Sequence, residues 1–234
     1  MCVRYTLHKT DAALNVIASA LGATLEAPDW AQARYNVTLT DTMPVVAKGE
    51  KGPGVRPMRW GFVPIGERGN PRPRLIANAR SETAATFAAF RKAIATRRCL
   101  VPANGFYEWL TCGSMKLPHH FALKDDEPFA FAGIWDPSGD QVPETYCLLT
   151  TEPNELVAKV HDRMPVIMTA ETMRRWIGDE PLAPEELRLL VRPIAAARMA
   201  SRPVSRYVSN SRNQGPQCLA PPDEPPPEPE LDFA

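Results

Sequence analysis

The 234-residue chain has no apolar run near the roughly 20 residues that a membrane-crossing helix needs. Met1-Cys2-Val3-Arg4 also opens no leader pattern of a basic start followed by an apolar stretch, so no membrane association and a cytoplasmic location are expected. There is no CxxC pair. Cys2, Cys99, Cys112, Cys147 and Cys218 form an odd, irregularly spaced set that frames neither a disulfide scaffold nor a zinc site, and no metal or other cofactor is expected. Histidine is scarce, and the neighbours His119 and His120 would project from opposite faces of a strand, which prevents them from sharing a metal. No internal repeat appears. Lysine and arginine are missing from residues 217–234, where Asp223, Glu224, Glu228, Glu230 and Asp232 gather among prolines.

With 44% apolar and 23% charged residues, the chain has what a globular core requires. The acidic, proline-rich tail does not, so a folded domain over residues 1–216, closing near Gly215, and an extended or disordered tail over 217–234 are expected. Taking the five tail acids from the total of 27 leaves 22 against 27 basic residues in the domain, a net of +5 that suits a polyanionic partner without requiring one.

Short β-type runs dominate the domain: Val3 to Leu7, Met43 to Val46, Val55 to Phe62, Cys99 to Val101, Phe106 to Leu110, His120 to Leu123, Phe129 to Trp135, Thr145 to Thr151 and Pro203 to Val208. Helical spacing occupies Asp11 to Leu21, Thr83 to Thr96, Pro153 to Val160, Ala170 to Ile177 with Thr169 as cap, and Pro184 to Leu190. Strands and helices do not alternate regularly. The expected fold is α+β, a β-rich mixed or antiparallel sheet curled towards a barrel and flanked by helices.

A cysteine directly after the initiator methionine is chemically special, because removing the methionine leaves an α-amine beside a thiol. Such a 1,2-aminothiol condenses with an aldehyde to a Schiff base, and its thiol can then close a five-membered thiazolidine. Read alone, Cys2 is as well explained as a small apolar residue opening a strand. Three further segments set polar groups beside apolar ones: Leu75 to Thr83 around Asn78 and Arg80, Arg98 to Trp109, and Val160 to Ile167. Within the second, Glu108 among large aromatics would have a raised pKa suited to proton transfer, or would be an exposed glutamate on an edge strand. In the third, His161 is a proton shuttle or a helix cap.

Taken in order, Met1-Cys2-Val3-Arg4, Arg59-Trp60-Gly61-Phe62-Val63-Pro64, Ala77 to Thr83, Cys99 to Trp109, Phe131-Ala132-Gly133-Ile134-Trp135 and His161-Asp162-Arg163-Met164-Pro165 together resemble the SOS response-associated peptidase (SRAP) family over about residues 1–216. The resemblance implies a β-rich fold that binds single-stranded DNA and joins its amino-terminal cysteine to the aldehyde of an abasic site, and a monomer is expected. It also implies peptidase activity on residues preceding that cysteine and a lyase side activity. Carried over residue by residue, Cys2 is the nucleophile and Asn78 orients it or the opened sugar. Glu108 is the acid/base, His161 assists Schiff-base chemistry, and Arg4, Arg80 and Arg163 clamp phosphates.

The chain departs from the pattern in two places. Val3 stands where glycine is usual, and the tryptophan common between the Pro64 and Leu75 positions is replaced by a stretch carrying Arg68, Arg72 and Arg74. Two rival readings share single features. An amino-terminal-nucleophile amidohydrolase would use Cys2 but leaves Asn78, Glu108 and His161 unexplained, and a non-catalytic single-stranded DNA binder would use only the arginines. Leu231 and Phe233, at the end of the acidic tail, loosely resemble a docking motif for the replication sliding clamp.

Overall fold

The computed structural model describes residues 2–67, 69–137 and 143–223. The first half holds β1 (Tyr5–Leu7), α1 (Thr10–Leu21), β2 (Arg34–Val37), β3 (Thr42–Gly49), β4 (Gly52–Trp60), β5 (Asn78–Arg80), α2 (Ser81–Ala84), α3 (Ala88–Thr96), β6 (Arg98–Ala103) and β7 (Gly105–Cys112). It continues with β8 (Met115–Leu123), β9 (Phe129–Asp136), β10 (Thr145–Thr151), β11 (Met164–Pro165), β12 (Ile167–Met168), α4 (Ala170–Ile177), α5 (Pro184–Leu190) and β13 (Met199–Pro203). The α+β expectation holds. A five-stranded sheet runs β13-β8-β7-β1-β2, and a larger one runs β11-β10-β4-β3-β6-β9-β12 with β5 added beside β10. Because β9 also pairs with β10, the larger sheet closes into a ring. It stops short of a barrel, since β4 and β10 share only the pairs Thr145↔Arg59 and Tyr146↔Trp60.

Side-chain alternation explains why the central strands are apolar on both faces. Val45, Ala47, Cys99, Val101, Phe129, Phe131 and Leu148 face a core shared with Cys2, Tyr5 and Leu7. Their neighbours Val46, Leu100, Ala130, Ala132, Cys147 and Leu149 face a second core under α1, α3 and α4. Gly133 is required by proximity: a Cβ there would lie 2.8 Å from Cys99 Sγ. Thr169 caps α4 through a reciprocal bond pair with Thr172, as its sequence position suggests. No helix among the described residues is long and apolar enough to cross a membrane.

Local chemistry corrects three of the expected segments. The helix expected over Thr83 to Thr96 breaks into α2 and α3, because Phe87 adopts an extended conformation and Thr86 turns its hydroxyl back to Thr83 O. Pro153 to Val160 yields only a 3-10 turn at Val157–Lys159, since Asn154 Oδ1 accepts from the amides of Leu156 and Val157. The final strand lies earlier than expected, at β13, and Ser205 Oγ accepts from Tyr207 N to start a 3-10 turn over Arg206–Ser209. Packing continues past Gly215: Pro216–Leu219 form another 3-10 turn, Cys218 is buried against Tyr107, and Ser205 N donates to Ala220 O. Arg68 and the segment bearing Leu231 and Phe233 lie outside the described residues.

Candidate functional site

The amino-terminal segment lies where the two sheets meet. Residues 2–4 run into β1 of the smaller sheet, and Arg4 O accepts from Tyr107 N of β7 at 3.0 Å. From the larger sheet, Asn78 Nδ2 donates to Cys2 O at 2.7 Å. Asn78 is itself fixed by β5, whose parallel register sets Leu148 beside Asn78. Its Oδ1 is buried and accepts no hydrogen bond from the described residues. The Cys2 side chain is fully buried, with Sγ donating to Arg4 O at 3.5 Å. Burial, followed by the nearby charge of Glu108, pushes its thiol pKa far up, so at neutral pH it is a thiol that needs a base before it can attack.

Glu108 supplies a carboxyl group in the same environment. It is 3% exposed, and desolvation together with the Asp162 charge raises its pKa to about 7. That value gives comparable populations of acid and base at neutral pH. His161 Nε2 lies 3.9 Å from Glu108 Oε2. On the other side of the ring, Nδ1 accepts from Arg163 N at 3.0 Å, and Asp162 Oδ1 lies 2.9 Å away. Asp162 is 88% exposed, so this contact is open to solvent, while Nε2 is the ring nitrogen turned towards Glu108. Partial burial lowers the His161 pKa, which favours the neutral ring.

An open groove of about 720 Å³ brings Arg4, Glu108 and His161 together with Val3, Trp109 and Arg206. Cys2 and Asn78 do not line this groove but are tied to it through Arg4, Glu108 and the Cys2 carbonyl. The three arginines differ sharply. Arg163 makes a bidentate pair with Glu82 at 2.7 and 2.9 Å and donates to Thr150 O at 2.7 Å. Arg4 donates to Asn36 Oδ1 at 2.9 Å, Val208 O at 3.0 Å and Ser209 O at 3.5 Å, and lies over the Trp109 ring. Arg80 is exposed at the end of β5, two residues past Asn78. Trp109, Lys116, Arg206 and Ser209 line the groove without having been singled out in the sequence. Trp109 had a signal in its position beside Glu108, whereas Arg206 and Ser209 are brought in by tertiary folding of a distant segment.

The family model for SOS response associated peptidase (SRAP) matches residues 1–211. The chain belongs to this family. Abasic site processing protein YoqW of Bacillus subtilis is 33% identical to this SRAP chain over 190 residues, 79% of this chain and 84% of the relative. Abasic site processing protein YedK of Escherichia coli is 30% identical over 192 residues, covering 80% and 84%. A crystal structure of a protein from Bacteroides thetaiotaomicron superposes with a TM-score of 0.79 at 24% identity, covering 94% of the SRAP chain and 99% of that structure, and so shows the shared fold. Among the described residues, no three His, Cys, Asp or Glu side chains converge as a metal site.

Proposed function

We propose that this protein covalently captures abasic sites in single-stranded DNA through the amino-terminal Cys2 exposed when Met1 is removed. The new α-amine attacks C1′ of the ring-opened sugar aldehyde, water leaves, and the Cys2 thiol adds to the resulting iminium carbon. Amine, thiol and aldehyde become one thiazolidine and one water. Glu108 as acid protonates the departing oxygen, and as base it takes the thiol proton while the sulfur–carbon bond forms. Neutral His161, with Nε2 towards Glu108, relays protons between that carboxyl group and the groove. Asn78 holds the Cys2 carbonyl while its uncommitted Oδ1 accepts from the new amine or a hydroxyl of the opened sugar. Ring closure competes with β-elimination from the imine, which is the origin of a lyase side activity. The peptidase activity of the family name is read as cleavage before Cys2.

The observation that carries this reading is the Asn78 to Cys2 hydrogen bond, which fixes the nucleophile's own peptide beside a carboxyl group with a pKa of about 7. The relatives named for abasic site processing support the substrate. The test mixes purified protein with a single-stranded oligonucleotide bearing one abasic site and runs a denaturing gel. A denaturation-resistant adduct is expected. Reversible binding alone would favour a non-catalytic DNA binder, and ammonia release from glutamine would favour an amidohydrolase.

A further inference from the structure

The arginines nominated as phosphate clamps do not share one function, because Arg4 and Arg163 direct their donors into the protein. Two other cations border the groove. Lys116, on β8, and Arg206, opening the Arg206–Ser209 turn, are exposed and make no ion pair among the described residues. We propose that Lys116 and Arg206 form a rim that contacts backbone phosphates of the bound strand, a proposal that rests on the groove receiving single-stranded DNA.

The rim is built on rigid supports. Lys116 sits in the β7–β8 ladder opposite Thr111. Arg206 sits on a strap tied down by one buried side chain: Asn36 Nδ2 donates to Val208 O at 3.1 Å, Asn210 O at 3.0 Å and Asn213 O at 3.0 Å. Gln214 reinforces it, accepting from the amides of Tyr35 and Asn36 and donating to Asn36 O at 2.7 Å. Arg4 bonds the same strap, and Ser209 Oγ accepts from Trp109 Nε1 at 3.2 Å, which fixes the indole along the groove wall. The strap therefore carries the groove's outer charge and is braced by Arg4, so Arg4 is a positioning residue and Arg206 the phosphate contact. An exposed guanidinium and an exposed ammonium group carried on fixed backbone, with no ion pair among the described residues, are what a sequence-independent backbone contact requires.

The test measures anisotropy with an undamaged single-stranded oligonucleotide between 50 and 200 mM salt. Each phosphate contact contributes about 0.7 to the log–log salt slope, so the Lys116→Ala/Arg206→Ala double variant should lose about 1.4. Its affinity should then fall about sevenfold less than wild type over that range. Lys92→Ala on α3 should keep the wild-type slope. A wild-type slope in the double variant would overturn the proposal, and so would an equal loss in Lys92→Ala. If wild type forms no adduct, covalent capture fails as a reading, while the salt slopes still decide the rim.

Discussion

The two halves of the site solve opposite problems. In the buried half, Cys2 and Glu108 are almost wholly buried, and desolvation shifts both pKa values upwards. In the outer half, Arg80, Lys116 and Arg206 remain exposed to water and to screening by salt. Desolvation makes a carboxyl group useful for proton transfer at pH 7 and would make a phosphate clamp needlessly costly. On the proposed reading, chemistry belongs to the first half and attraction to the second, while Arg4 and Arg163 spend their donors on bonds within the protein.

The sharpest way to break that division is at Cys2. Cys2→Ala should abolish the stable adduct while leaving the affinity for undamaged single-stranded DNA within a small factor, as read by denaturing gel and anisotropy. Cys2→Ser should give at most a labile imine or a slower ring, because a hydroxyl is the poorer nucleophile. Next in size is Glu108→Gln, which should slow capture by roughly 10²–10⁴-fold in single-turnover kinetics, as expected for loss of a general acid/base.

The same variant tests burial through stability. Because the folded-state pKa of Glu108 is raised to about 7, its proton is held more tightly when folded, and stability from this group declines as pH rises from about 4.5 through 7. Glu108→Gln should therefore gain stability relative to wild type with rising pH, by an amount of order 1–3 kcal/mol, seen by comparing melting at pH 5.5 and 8.5. A constant difference across that range would mean the carboxyl group is solvated.

Arg163→Ala sharpens the comparison from the structural side. Losing the Glu82 pair and the bond to Thr150 O should cost about 1–3 kcal/mol of stability, read as a lowered melting temperature, with the salt slope for DNA unchanged. Arg80→Ala gives the smallest effect. It should leave melting unchanged and remove about 0.7 from the salt slope.

Much of this division could be read from the chain. Apolar periodicity located most of the ring strands, α1, α4 and α5, and the Thr169 cap, because each is set by local pattern. It missed β2, β11 and β12, which are two to four residues long and exist only because a neighbour pairs with them. In the site, Glu108 among aromatics left a buried acid and an exposed edge glutamate open, and the packing of β7 decides for burial. The asymmetry among Arg4, Arg80 and Arg163 did not show, since their partners Val208, Ser209, Glu82 and Thr150 are set by tertiary contact. Arg206 was silent for the same reason: Asn36 holds its strap from about 170 residues away in sequence.

The most direct test of the central claim is the intact mass of the adduct formed with an abasic oligonucleotide, before and after borohydride treatment. A thiazolidine at Cys2 requires the mass of the Met1-free protein plus the oligonucleotide less one water, unchanged by borohydride. An adduct that retains Met1, or one that gains two hydrogens on reduction as an imine would, contradicts it.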